Sequence, residues 1–500
     1  MRIMMSVLSS DLSPSHQTAP APPAAQATDV LRHYTGAEFV FVSPTTALIA
    51  SGFTPGLTIN VADMGGDAGR IEGDAESSLR VEGRTPQVEG RTPQVEGRTP
   101  QAEGRTPQAD TSRRATEVAR AVKDLFARAR DHGVASPMLV GAVPFDIYAA
   151  PRLAIAQTCR QLAVSPTAAP GPTAMTPAGS ASPALMPAAS SVPSMTGGAA
   201  QVAAQVTAQI SAQISARVAA QVPVPSASVY EAAVSEALAL FSRDALDKVV
   251  LARTLALTLD APLDLPALVA RLQSKNERGY TYAVPLATPG EVFLGATPEL
   301  LVRKVGSRVI LNPLAGSAAR VPGHDADRAV GQALLQSHKD LQEHAIVIDE
   351  IATVLRPLCR RLNLPAGPEL VATDALWHLS TVIEGELIDP TLTSLDLAFA
   401  LHPTPAVCGH PRQAAFDTIV ALEPFDRSYF AGFVGWMDRA GDGEWAVSLR
   451  CAQVGPRHAT LYAGAGIVPG SVPQRETAET QTKFRTMLSA LGLGHSINQR

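Results

Sequence analysis

Four short segments carry the residues best suited to chemistry: Lys248 in DKVVLAR, Glu299 in GATPELL, Glu343 in HKDLQEH and Glu479 in RETAETQTK. A lysine opening an apolar strand is usually a solvated strand end. It becomes a general base only when uncharged, which needs desolvation or nearby positive charge that a magnesium ion and Arg450 could help supply; Asp247 stands beside it in the sequence. Glu299 follows Pro298 at the break between two apolar runs. Apolar flanks penalise the ionised carboxylate and would suit it to act as an acid; the alternative is an exposed turn glutamate.

Glu343 shares a helical face with Val347 and Val354, where an unpaired charge is costly, so it needs a partner. Glu476, Glu479 and Lys483 fall at i, i+3 and i+7 of the last predicted helix. Glu479 and Lys483 alone could be a surface pair worth roughly 0.3–0.5 kcal/mol. Alternatively, carboxylates from two helices suit Mg²⁺, which keeps waters and takes a substrate anion as a further ligand. Spacing does not choose between these. Gly316 and Ser317 in NPLAGSAAR, and the glycines of AGAGIVPG, could present backbone donors to a carboxylate, but the spacing of Gly464, Gly466 and Gly470 is not that of a dinucleotide site. Arg450, in WAVSLRCAQV, is expected to project from the strand face opposite Trp445, Val447 and Leu449, either as a structural residue or as a carboxylate clamp. Together these residues suggest a magnesium-dependent enzyme acting on a small dianionic acid.

The elements that position them fall in two ordered blocks. Residues 28–160 show strand-like FVFVSPTTALIASG, a helix through Ala115–His132 and a strand in MLVGAVPFD. Residues 226–495 alternate helices with strand hairpins: helices over Tyr230–Phe241, Asp325–Leu362 and Glu476–Leu491, and strands in VVLARTLAL, EVFLGAT, RVILNPLAG, WAVSLRCAQV and ATLYAGAGIV. Short turns such as Gly455–His458 favour antiparallel pairing, so the class is α+β with large sheets and helices outside them.

Other segments read as filler. Residues 1–27 and the heptad VEGRTPQ, repeated over 81–108, bury too little to order, and Gly and Pro in each unit exclude a coiled coil. Residues 161–225 hold an Ala/Pro/Ser/Thr-rich linker, then a repeat spacing Val202, Val206, Ile210, Ile214, Val218 and Val222 by four, predicted as a helix ending before Pro223.

Lys and Arg number 41 against 46 Asp and Glu, for a net charge of −5, which offers no field for nucleic acid or an anionic membrane. Cys159, Cys359, Cys408 and Cys451 have no metal-ligand or disulfide-framework spacing, and no signal-like or membrane-length apolar run is present, so a cytoplasmic location is expected.

The motifs DKVVLAR, GATPELLVRK, PLAGSAAR, WHLST, LHPTPAVCGHP, LEPFDRSYFAGFVGW, SLRCAQ and AGAGIVP, in this order, resemble the chorismate-binding enzymes, and among them the isochorismate synthases of the siderophore, 2,3-dihydroxybenzoate branch. The resemblance is strong over 226–495 and reaches into the first block. It implies a monomeric fold like that of anthranilate synthase component I, two facing antiparallel sheets flanked by helices, with chorismate as substrate. It implies that Lys248 activates water for attack at C2 while Glu299 protonates the departing C4 hydroxyl. By the same resemblance Glu343 and Glu479 hold Mg²⁺ with Glu476 supporting through water, Arg450, Gly464 and Lys483 bind substrate carboxylates, and His378 lies beside the ring. Salicylate synthases, which go on to eliminate pyruvate, are the alternative; a non-catalytic scaffold using the repeats is the alternative of another class. Removing 81–108 and 165–222 is expected to leave an enzyme's turnover almost unchanged.

Overall fold

The computed structural model describes residues 27–59, 107–164 and 218–493. Residues 1–26, most of the heptad repeat, and the biased tract with most of the four-residue repeat lie outside the described residues.

Every strand pair in the described residues is antiparallel. They form a 10-stranded, an 8-stranded and a 3-stranded sheet. The two sequence blocks share both large sheets: Phe39–Val42 pairs with Tyr280–Pro285 in the first, and Met138–Val143 with Phe433–Asp438 in the second. The predicted α+β class is the one observed.

Alternation explains the layering. In FVFV, Phe39 and Phe41 join the core that also holds Val302, Leu311 and Val434 of the 8-stranded sheet. Val40 and Val42 face the other way, onto Leu268 and Leu272 of helix Leu265–Ser274 and Phe484 and Leu488 of helix Pro473–Ala490. Both faces of this strand are therefore dry, as period-2 patterning with no polar member requires. On the 8-stranded sheet, Phe433 and Trp445 stack edge to face and pack with Phe399 of helix Ser394–Leu401.

Several long predicted elements are interrupted. FVFVSPTTALIASG is a hairpin of Phe39–Val42 and Thr46–Ser51. The helix predicted over Asp325–Leu362 is two helices, His324–Leu334 and His338–Leu355, followed by strand Cys359–Asn363. Ser337 divides them by capping the second helix, its hydroxyl accepting from the Asp340 N–H. The end of the four-residue repeat is not helical: Val218–Val224 is a strand pairing with Lys248–Leu259. The last residues of the heptad repeat begin helix Pro107–Asp131. Thr158–Ala163 and Val218–Val224, which bracket the biased tract, lie at opposite edges of the 10-stranded sheet.

Three strand runs cross between sheets. EVFLGAT ends at Thr297 in the 10-stranded sheet and Leu300–Val305 begins in the other. Gly443–Val447 belongs to the 8-stranded sheet and Cys451–Val454 to the 10-stranded one. Arg308–Asn312 and Leu314–Ala319 are separated by Pro313, which cannot donate to a ladder, and the second joins the 3-stranded sheet.

Candidate active site

Two of these crossings build the centre of a cleft. The Val447 N–H donates to the Glu299 carbonyl at 3.1 Å and the Ala296 N–H to the Arg450 carbonyl at 3.2 Å, so the two crossings are stitched side by side. Arg450 has φ +48°, a left-handed conformation that a non-glycine residue adopts at some cost. It is therefore not a residue in a continuous strand, and it lines the cleft together with Leu449 rather than facing away from it. The period-2 pattern of WAVSLRCAQV runs unbroken through a change of sheet, which is why sequence alone reads it as one strand.

The cleft is open at its mouth, with about 670 Å³ of space between its walls and that mouth. Its wall brings together Glu299, Gly316, Ser317, Glu343, His378, Arg450, Gly464, Glu479 and Lys483 from distant parts of the chain. Two expected residues lie elsewhere. Lys248 is fully buried and sits behind the wall, its Nζ 3.0 Å from Glu343 Oε1. Its neighbour is Glu343 rather than Asp247, which is mostly exposed and lies 3.7 Å from His410. Glu476 is buried beside the cleft and paired with Lys339 at 2.9 Å.

Glu299 is 2% exposed, and this burial pushes its carboxyl up to about 8 despite the Leu314 N–H and the positive charges of Lys248, Arg450 and Lys483, which pull the other way. A carboxylic acid protonated near neutrality is what its apolar flanks predict. His378 pairs across the strands with Ser317, and its ring nitrogen lies 3.4 Å from an Arg450 nitrogen. Burial, then the charges of Arg450 and Lys483, push His378 well below the usual imidazole range, so it is neutral. His344, bonded to the Ala315 carbonyl and the Thr381 hydroxyl, is likewise lowered by burial, to about 4, and braces the strand carrying Ser317.

The acidic side of the cleft comes from helices His338–Leu355 and Pro473–Ala490. Burial raises Glu476, and the charge of Glu479 raises it further; burial raises Asp340, and Glu343 and Glu479 add to this. Burial works on Glu479 too, but the ammonium of Lys483, 2.7 Å away, outweighs it and leaves the carboxyl below its usual range. Ser317 Oγ also donates to Glu479, at 3.1 Å. Each of Glu343, Glu476 and Glu479 thus has a lysine on it, and the expectation that Glu343 needs a partner is met by Lys248.

Mutually repelling oxygen donors on two facing helices have the chemistry of a hard divalent-cation site. Among the described residues no three His, Cys, Asp or Glu side chains converge as a ligand cluster, and each of the three glutamates is instead paired with a lysine.

Some contributors escaped the sequence reading. Gly466 was noted only for its spacing, yet a Cβ there would lie 2.2 Å from Glu343 Oε1 and 3.3 Å from Lys248 Cε. Val407 and Phe430 also line the cleft. The buried Arg427 binds the carbonyls of Val407 and Val250 and pairs with Glu423 at 2.6 Å, while Glu423 accepts from the Ala252 N–H, so one ion pair ties three wall segments together.

The profile described as chorismate binding enzyme matches residues 105–492. The chain belongs to the chorismate-binding enzyme family.

Its curated relatives within that family include the isochorismate synthase DhbC of Bacillus subtilis, 49% identical over 278 residues that span 55% of this chain and 70% of the relative. The isochorismate synthase EntC of Escherichia coli K12 is 47% identical over 270 residues, 54% of this chain and 68% of the relative. Among solved structures, that described as a 2,3-dihydroxybenzoate-specific isochorismate synthase, DhbC from Bacillus anthracis, superposes with a TM-score of 0.70 at 32% identity, covering 93% of this chain and 99% of that one. Anthranilate synthase component I from Streptococcus pneumoniae, at 21% identity and TM-score 0.53 over 70% of this chain and 80% of its own, shares the fold. No helix among the described residues is long and apolar enough to cross a membrane.

Proposed function

We propose that this chorismate-binding enzyme is an isochorismate synthase, an isomerase that adds water at C2 of chorismate as the C4 hydroxyl leaves, serving siderophore biosynthesis. The observation that carries the reading is Glu299: a carboxyl kept protonated near neutrality by burial, on the wall of a cleft that also presents Arg450 and Lys483. Those two cations suit the two carboxylates of the substrate, and the relatives at 47% and 49% identity are isochorismate synthases.

In the proposed reaction Lys248 takes a proton from water as its oxygen bonds to C2, both conjugated ring double bonds shift by one position (C1=C2 to C1=C6 and C5=C6 to C4=C5), and the C4–O bond breaks as Glu299 gives its proton to the departing hydroxyl, which leaves as water. Arg450 and Lys483 hold the carboxylates, and neutral His378 lies along the wall beside Ser317 without adding charge. Glu343 and Glu479 are the residues that would hold Mg²⁺, with Glu476 behind them. The ion would supply charge neutralisation and a hold on a substrate carboxylate. Lys248 is available as a base only when Glu343 no longer engages it, so loading of the acidic side and availability of the amine are linked through one carboxylate.

Purified protein incubated with chorismate and Mg²⁺, with products resolved by chromatography, tests this. Isochorismate as the accumulating product supports it. Salicylate with pyruvate would replace it by the salicylate synthase reading, and unconsumed chorismate would overturn both.

A further inference from the structure

A second cavity abuts the active cleft and shares Pro298 and Arg450 with it. Its walls come from Leu272, Lys275 and Asn276 at the end of one helix, Arg485, Thr486 and Ser489 on the last helix, and Arg320 with Thr373–Ala375 on the far side. Four of its lining residues are cationic, Lys275, Arg320, Arg450 and Arg485, and one, Asp374, is acidic. Arg320 is neutralised by Asp327 at 2.6 Å. The others are not: Lys275 donates to the uncharged Ser489 hydroxyl, Arg450 lies against neutral His378, and among the described residues none of Lys275, Arg450 and Arg485 has a carboxylate within ion-pair distance. Lys275, Arg485 and Asp374 are solvent-exposed, so the cavity opens outward, whereas Arg450 is at its inner end.

The chain as a whole carries −5, a charge that repels a dianion. A concave patch whose exposed Lys275 and Arg485 are held in no ion pair reverses this locally, because low-dielectric walls focus the field and raise the concentration of the oppositely charged ligand. We propose that this basic cavity is the approach vestibule of the active site, collecting a dianionic ring acid at Lys275 and Arg485 and passing a carboxylate to Arg450. Arg450 is suited to the transfer because the same residue borders both spaces, and its left-handed backbone places it at the crossing between them. The inference rests on the proposed function only in taking the substrate to be a dianion.

The test compares Lys275→Glu/Arg485→Glu with Arg361→Glu/Arg439→Glu, which makes the same change in net charge at exposed positions outside both cavities. Initial rates with chorismate and Mg²⁺ are measured from low to high ionic strength, and chorismate affinity is measured by calorimetry on the same proteins. The vestibule variant is expected to lose about tenfold in kcat/KM at low ionic strength, with kcat within about twofold and a flatter salt dependence than the control. Lys275→Gln/Arg485→Gln should fall between. Equal salt profiles for the vestibule and control variants would overturn the vestibule. If chorismate binds but is not turned over, the isochorismate synthase reading fails, and the vestibule is judged by whether Kd rises more in its variant than in the control. A wild-type chain that binds no chorismate overturns both.

Discussion

Lys248 Nζ lies 3.0 Å from Glu343 Oε1, and the bare backbone of Gly466, two residues along from Gly464 on the neighbouring strand, leaves the space in which they meet. The strand register sets Gly466 opposite Val250, beside Lys248, so any side chain there falls on the pair.

Gly466→Ala is therefore expected to cost at least tenfold in kcat/KM, because its methyl would sit 2.2 Å from Glu343 Oε1. Gly464→Ala, whose closest contacts are at 3.3 Å, should cost less. Steady-state kinetics on the two variants, with melting curves to show that both fold, decide the point; equal losses would remove Gly466 from the site.

Glu299→Gln should lower kcat by roughly 10²–10⁴, the usual worth of a general acid. In the wild type, activity requires the protonated carboxyl, so kcat/KM should fall as pH rises through about 8. The same raised pKa has a stability consequence of fixed sign: the folded state holds the proton more tightly than the unfolded one, so this contribution is complete below the ordinary glutamate value and is lost as pH climbs through about 8. Glu299→Gln should flatten that decline in urea melts, and an unchanged slope would argue against a buried acid.

Removal of divalent cations by a chelator should abolish turnover, with recovery on adding Mg²⁺. Glu479→Gln should raise the Mg²⁺ concentration needed for half-maximal rate by tenfold or more, and calorimetric titration with Mg²⁺ should weaken in parallel. Full activity in the chelated enzyme would take the ion out of the proposal.

Glu423→Ala leaves the Arg427 guanidinium buried without its carboxylate and the Ala252 N–H without its acceptor. Breaking one side of such a pair costs about 3–5 kcal/mol. A urea midpoint shift that, multiplied by an unchanged m-value, amounts to less than about a third of that energy would mean that the wall is held by other contacts.

How much of this was legible in the residues beforehand depends on where each signal lives. Glu299 was readable because its apolar flanks are local, and the burial they predict is what raises it. The face shared by Glu476, Glu479 and Lys483 was readable because helical spacing is local too. Arg450 was misplaced because alternation does not register a change of sheet, and the pairing of Lys248 with Glu343 needs a helix and a strand nearly 100 positions apart to meet. Ser337 escaped notice inside an apolar-periodic run, although a serine three residues before an acidic side chain is a recognised helix start. Gly466 was seen as one of several glycines; only the register shows what lies above it.

Because Thr158–Ala163 and Val218–Val224 edge opposite sides of the 10-stranded sheet, whatever joins them must be long enough to span the sheet's width. About eight strand spacings measure roughly 38 Å along a flat sheet, which an extended chain needs on the order of eleven residues to bridge. The expectation from sequence that 165–222 can be removed with little effect is corrected by the strand at Val218–Val224: excising 165–222 outright would remove part of an edge strand as well as this reach and is expected to abolish folding, whereas a Gly/Ser spacer of about twenty residues in place of 165–217 should restore turnover. For a flexible spacer longer than that floor the closure entropy grows only with the logarithm of length, so lengthening such a Gly/Ser replacement from about twenty to about forty residues should leave Lys248 and Glu299 in place and turnover nearly unchanged.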